Sequence, residues 1–219
     1  MAWGGQRVDL LTPQQRLQHG IARTFQVAKT FEALTVLQNV QLLTQSPRGL
    51  AAYNVLENAD SSVAMGLLAR VGLQDLAKAD AKDLPYGAKK RLELAMALAG
   101  LEHAPQPQLL LLDEPAAGLA QAERAALMQL IKDLAQPHGD QPGMAVLYTE
   151  HNMDAVFGVA DRVLVLIDGQ LAAQGTPEEI ANDPVVRSRY LGHSFNAPTA
   201  ALPIAAEPGA ALTQEVRDA

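Results

Sequence analysis

The chain has 219 residues, a net charge of -7, 48% hydrophobic, 19% charged and 4% aromatic residues, which suits one α/β domain whose core is built from Leu, Ala, Val and Met. No Lys/Arg cluster offsets the acidic balance, which disfavours a nucleic-acid partner; the absence of cysteine excludes disulfides, thiolate metal sites and cysteine nucleophiles and fits a reducing compartment. No apolar run reaches bilayer length and MAWGGQRVDL is not a secretory leader, so service to a membrane requires docking onto another subunit.

Trp3 to Leu11 reads as a short strand pair or a loop. Thr12-Pro13-Gln14-Gln15 supplies a capping residue, a proline at the first helical position and a glutamine at the third, so a short helix starts there and ends at Gly20. Ile21 to Gln26 (IARTFQ) reads as a strand running into a loop, and Thr35 to Leu43 as a short helix. Pro47 and Gly49 punctuate a loop over Gln45 to Asn54. Ser61 to Val71 has helical spacing, with Val63, Leu67, Leu68 and Val71 on one side. Ala88 to Leu101 is apolar over most of its surface and is expected to be a buried helix.

Leu109 to Leu112 is a continuous apolar run, as in a central parallel strand covered on both faces. A helix is expected over Ala122 to Ala135, a second buried strand over Ala145 to Thr149 and a helix over Asn152 to Val159. Asp168-Gly169 between two apolar runs marks a hairpin within Val163 to Ala173. Thr176-Pro177-Glu178-Glu179 repeats the capping pattern for a last helix. Alternating strands and helices predict an α/β fold with a mostly parallel sheet. From Ser194 the composition turns to Ala, Pro, Thr and Glu without periodicity, so residues 194–219 are expected to be a disordered tail.

Four places carry candidate chemistry. In LLLLDEP, Asp113 stands at the carboxyl end of a buried strand, where α/β folds bind ligands, and could hold magnesium through oxygen. Glu114 points elsewhere and could take a proton from an attacking water; the alternative is an acidic strand end that caps the next helix. His151, after the strand AVLYT, could reach a transferred phosphate, or be an ordinary polar loop residue. Gly87 in LPYGA opens a helix whose free N–H groups favour an anion, or is only a turn. Gln26, at the end of a strand, could ligate a metal and orient a water.

In this order and at these separations, the four resemble the nucleotide-binding domain of ABC transporters. IARTFQ is similar to the Q-loop, LPYGAKKRLELAMALA to the signature motif and its helix, LLLLDEPAAGL to Walker B with the D-loop, and EHNMDAV to the switch-histidine segment. The likeness runs from Trp3 to Gly192, and GIARTFQ, LPYG and DEPAAGL most resemble the branched-chain amino acid group. The resemblance implies a P-loop NTPase-like ATPase of 1–193 with a helical subdomain over roughly 27–100. ATP and magnesium would be its ligands, Asp113 and Gln26 holding the metal, Glu114 acting as general base and His151 as the γ-phosphate switch. Leu84, Pro85, Tyr86, Gly87 and Ala88 would face the nucleotide held by a second ATPase subunit in a head-to-tail dimer. Transmembrane permease subunits and, through them, a solute-binding protein would be partners at the cytoplasmic face of the inner membrane.

The sequence departs from that pattern. No G-x-x-x-x-G-K-[ST] run occurs in it, although this loop grips the β- and γ-phosphates. The chain is therefore expected to start after the phosphate-binding loop and its strand, leaving an exposed strand edge or an uncovered apolar face. Pro85 replaces the signature serine, Ala88 its glutamine, and Ala120 the D-loop polar residue. Three readings remain open: an importer ATPase lacking its first segment, a non-hydrolytic partner subunit, and a soluble ABC-class ATPase.

Overall fold

The computed structural model describes residues 2–44, 61–137 and 142–191; the loop expected over Gln45 to Asn54 and the tail expected from Ser194 lie outside the described residues. The first two strands, β1 (Ala2–Trp3) and β2 (Gln6–Arg7), form a small antiparallel pair. Helix α1 (Pro13–Gln18) carries the capping box read from the sequence, with Gln15 N–H donating to Thr12 Oγ1 and Thr12 N–H to Gln15 Oε1. Gly20 then turns the chain at φ 83°, where an added Cβ would lie 2.8 Å from the Pro105 carbonyl oxygen. Only glycine fits this crossing.

The centre is a three-stranded parallel sheet of order β3 (Ile21–Arg23), β4 (Leu109–Asp113) and β5 (Ala145–Thr149). Helices α2 (Val36–Thr44) and α3 (Ser62–Arg70), two 3₁₀ turns (Gln74–Leu76 and Ala81–Asp83) and α4 (Tyr86–Leu101) separate β3 from β4. Helix α5 (Gln121–Ala135) joins β4 to β5, and α6 (Met153–Phe157) follows β5. One continuous core unites these parts, with Leu68, Leu73, Leu92, Leu101, Leu110, Met128 and Ile131 almost fully enclosed. Helix α4 runs through it, which is why its sequence is apolar on nearly every side.

The hairpin lies where Asp168-Gly169 placed it, between β6 (Val163–Ile167) and β7 (Gln170–Gly175), with Asp168 and Gly169 at φ 52° and 76°. Two consecutive positive φ values suit the right-handed twist of the flanking strands. Helix α7 (Pro177–Asn182) has the second complete capping box, on Thr176 and Glu179. It leads into α8 (Pro184–Val186) and a π-turn over Arg187–Leu191.

One expectation is corrected. Strand β5 is not buried: it is an edge strand, and only Val146 and Tyr148 pack against the core. Its other side exposes Leu147 by 52%, and the hairpin exposes Leu164, Leu166 and Leu171.

Candidate functional site

The parallel register places Asp113 directly beside Thr149 at the carboxyl end of the sheet, where such sheets present ligand sites. The Thr149 hydroxyl donates to Asp113 Oδ1 at 2.9 Å, and the Glu114 N–H donates to Thr149 Oγ1 at 3.2 Å and to the Thr149 carbonyl at 3.1 Å. One threonine thus fixes the side chain of one acid and the backbone of the next. Glu114 needs that support, because it stands at φ 44°, a conformation that costs a non-glycine residue about 1–3 kcal/mol.

Glu114 is where the separate segments meet. Gln26 Nε2 donates to Glu114 Oε2 at 3.0 Å, and His151 Nδ1 lies 3.7 Å from Glu114 Oε1. His151 is 72% exposed, so its ring is free to turn toward a ligand. Gln26, Asp113, Glu114 and His151 are therefore brought together from the ends of β3, β4 and β5. A carboxylate held by an amide donor on one oxygen, with an imidazole near the other, can orient a water and accept its proton.

Arg23, which sequence reasoning passed over, approaches the same place. Its Nη2 lies 3.2 Å from Asp113 Oδ2, and its guanidinium stands 5.6 Å from the centre of the Phe25 ring. Glu150 was missed as well: its Oε1 accepts the Ala116 N–H at 3.0 Å and so holds the turn that follows Glu114. Both were legible only as neighbours of motif residues, in RTFQ and TEH.

The segment Leu84 to Ala88 stands apart. Among the described residues, no hydrogen bond or ion pair joins it directly to the four converging side chains. Helix α4 begins earlier than expected, with Pro85 at its N-cap, and its first α-helical bond runs from Lys89 N–H to the Pro85 carbonyl. Proline caps with no side-chain bond, so the N–H groups of Tyr86, Gly87 and Ala88 point out of the helix end. The side chains of Leu84 and Ala88 are buried in the core, and any contact from them with a ligand is through the backbone. A Cβ on Gly87 would meet Glu123 Oε1 at 2.9 Å, and one on Gly118 would meet the Tyr86 ring at 3.2 Å.

The donor set also fits magnesium. Asp113 and the amide of Gln26 are oxygen ligands, and this ion is commonly held by one or two carboxylates while substrate phosphates and waters complete its shell. No group of three or more His, Cys, Asp or Glu side chains among the described residues is arranged to cage a metal. Arg23 occupies Asp113 Oδ2 and would have to yield.

Comparisons with known proteins agree with this geometry. A family model described as ABC transporter matches residues 3–117, and one described as branched-chain amino acid ATP-binding cassette transporter matches residues 170–196. The high-affinity branched-chain amino acid transport ATP-binding protein LivG of Salmonella typhimurium is 38% identical over 193 residues, 84% of this chain and 72% of that protein. BraF of Pseudomonas aeruginosa, described in the same words, is 33% identical over 199 residues, 87% of this chain and 74% of that protein. Among solved structures, the ADP conformation of an ATP-binding cassette of an ABC transporter is similar with a TM-score of 0.66 and 26% identity, covering 86% of this chain and 75% of that one. With residues of three of the four ordered motifs converging at one sheet end and relatives at this level, the chain belongs to the ABC transporter family, as an ATP-binding cassette.

Proposed function

We propose that this cassette is an ATP-hydrolysing subunit of an importer for branched-chain amino acids or a related small solute. The observation that carries the reading is the meeting of Gln26 and His151 on the two oxygens of Glu114. Glu114 serves as general base, Gln26 orients the attacking water, and His151 senses the γ-phosphate. Asp113, with Gln26, would hold magnesium, which supplies charge neutralisation on the phosphates. Gly87 and the backbone of residues 84–88 address the nucleotide of a second ATPase subunit in a head-to-tail dimer.

Among the described residues no helix is long and apolar enough to cross a membrane, so transport requires permease subunits, and the proposed place of work is the cytoplasmic membrane face. Relatives named for branched-chain amino acid transport support the substrate class. A second reading, the non-hydrolytic partner subunit, is favoured by Pro85 and Ala120. These residues cap α4 and α5 without any side-chain bond, and the sequence has no G-x-x-x-x-G-K-[ST] run to grip the phosphates.

Calorimetric titration with magnesium-ATP, together with phosphate release, separates the two. Binding with slow turnover, abolished by Glu114→Gln at unchanged affinity, is the expected result. Turnover retained in Glu114→Gln would remove Glu114 from the chemistry. Absence of both binding and turnover would leave the partner-subunit reading.

A further inference from the structure

Two charged residues of α4 are buried, Lys90 at 5% and Glu93 at 7% exposure. Charges at that depth need partners. They are three residues apart, so they share one helix face, and that face meets the segment that follows β3. Glu93 Oε1 accepts the Phe25 N–H at 3.1 Å, and Lys90 Nζ donates to the Gln26 carbonyl. The Lys29 backbone N–H also faces the Glu93 carboxylate, and burial raises the pKa of that acid.

Side-chain packing does not explain why this segment stays in place. Phe25 and Val27 are 46% and 68% exposed, so neither anchors it in the core. Upstream, the Thr24 N–H bonds to the Leu111 carbonyl at 2.9 Å; downstream, the Phe31 N–H bonds to Asn39 Oδ1 at 2.7 Å. Between these anchors, the backbone of Phe25 and Gln26 is gripped by Lys90 and Glu93.

We infer that Lys90 and Glu93 are positioning residues that fasten the backbone around Gln26 to α4 and thereby present the Gln26 amide to Glu114. This inference rests on the proposed hydrolytic reading for its purpose, but not for its test. Lys90 acts as a point donor to one carbonyl, which an arginine can replace. Glu93 acts as an acceptor for the backbone N–H groups of Phe25 and Lys29, a role that the side-chain oxygen of glutamine can take. Neither Lys90→Met nor Glu93→Leu can do so.

The test is amide hydrogen exchange on the full chain, with the Gln26 side-chain amide followed by NMR. In Lys90→Met and in Glu93→Leu, exchange over residues 24–31 is expected to rise about tenfold. The two Gln26 side-chain N–H resonances should lose their bonded shifts, while β4 and α5 stay within twofold. Lys90→Arg and Glu93→Gln should restore the parent pattern. Unchanged exchange over 24–31 overturns the inference, and so does an equal rise in β4 and α5, which would mean that the pair only stabilises the core. Should a variant not fold, the unmodified chain decides the question through scalar coupling across the bond from the Phe25 nitrogen to the Glu93 carboxyl carbon. Its presence supports the fastening and its absence overturns it. No nucleotide is used, so failure to bind ATP would remove the hydrolytic reading and leave this result standing.

Discussion

Thr149 shows how much one small side chain decides at this site. It bonds both the Asp113 carboxylate and the Glu114 N–H, and it stands opposite Asp113 only because of the parallel register. Valine has its shape but neither hydrogen-bonding function. Thr149→Val should therefore lower stability by about 1 kcal/mol, at the modest end because the bonds are partly solvated. Urea unfolding checks this, with Thr149→Ser expected to recover most of the loss. The same substitution removes the side-chain bond on the Glu114 N–H and leaves its bond to the residue 149 carbonyl, so the strained φ of 44° keeps one of its two supports.

At the scale of elements, the two capping boxes are the plainest link from sequence to structure. Thr12 and Thr176 each accept from the third residue of their helix, and the N3 side chain returns the bond. Replacing either threonine with alanine should cost about 1 kcal/mol, read as a shift of the denaturant midpoint at constant slope. Helix α4 holds a less obvious balance. Burial, the largest influence, raises the Glu93 pKa above its ordinary 4.5, against the pull of the Phe25 N–H and the Lys90 charge. A raised folded-state pKa means that the neutral acid is tolerated below about pH 4.5 and that ionisation costs stability as pH rises through the folded value. Glu93→Gln should thus be more stable than the parent chain at pH 7–8, and the difference should vanish toward pH 4, as thermal melts across that range would show.

For the whole molecule, the main feature is the apolar side chains exposed on β5 and on the hairpin. Leu147, Leu164, Leu166 and Leu171 are each about half exposed or more, and exposed apolar side chains favour association. Leu147→Lys with Leu171→Lys should reduce concentration-dependent light scattering while changing stability by less than about 1 kcal/mol, since surface substitutions seldom do more. Scattering that persists unchanged would place the association elsewhere.

Sequence alone determined the elements whose signals are local. Capping boxes, the Asp168-Gly169 turn and the four-leucine strand each depend on neighbours within a few residues and stand where the sequence put them, while the apolar helix α4 starts two residues early, at Tyr86. The motif residues Gln26, Asp113, Glu114 and His151 were also legible, because their order and spacing are linear facts. The tertiary structure alone decided what those residues touch. The exposure of Leu147 depends on which face of β5 is covered, the Arg23 contact with Asp113 joins residues 90 positions apart, and the grip of Lys90 and Glu93 on the Gln26 segment spans more than 60. Contacts of that reach follow from the packing of β3 and α4 around one core, and no local pattern in the chain encodes them.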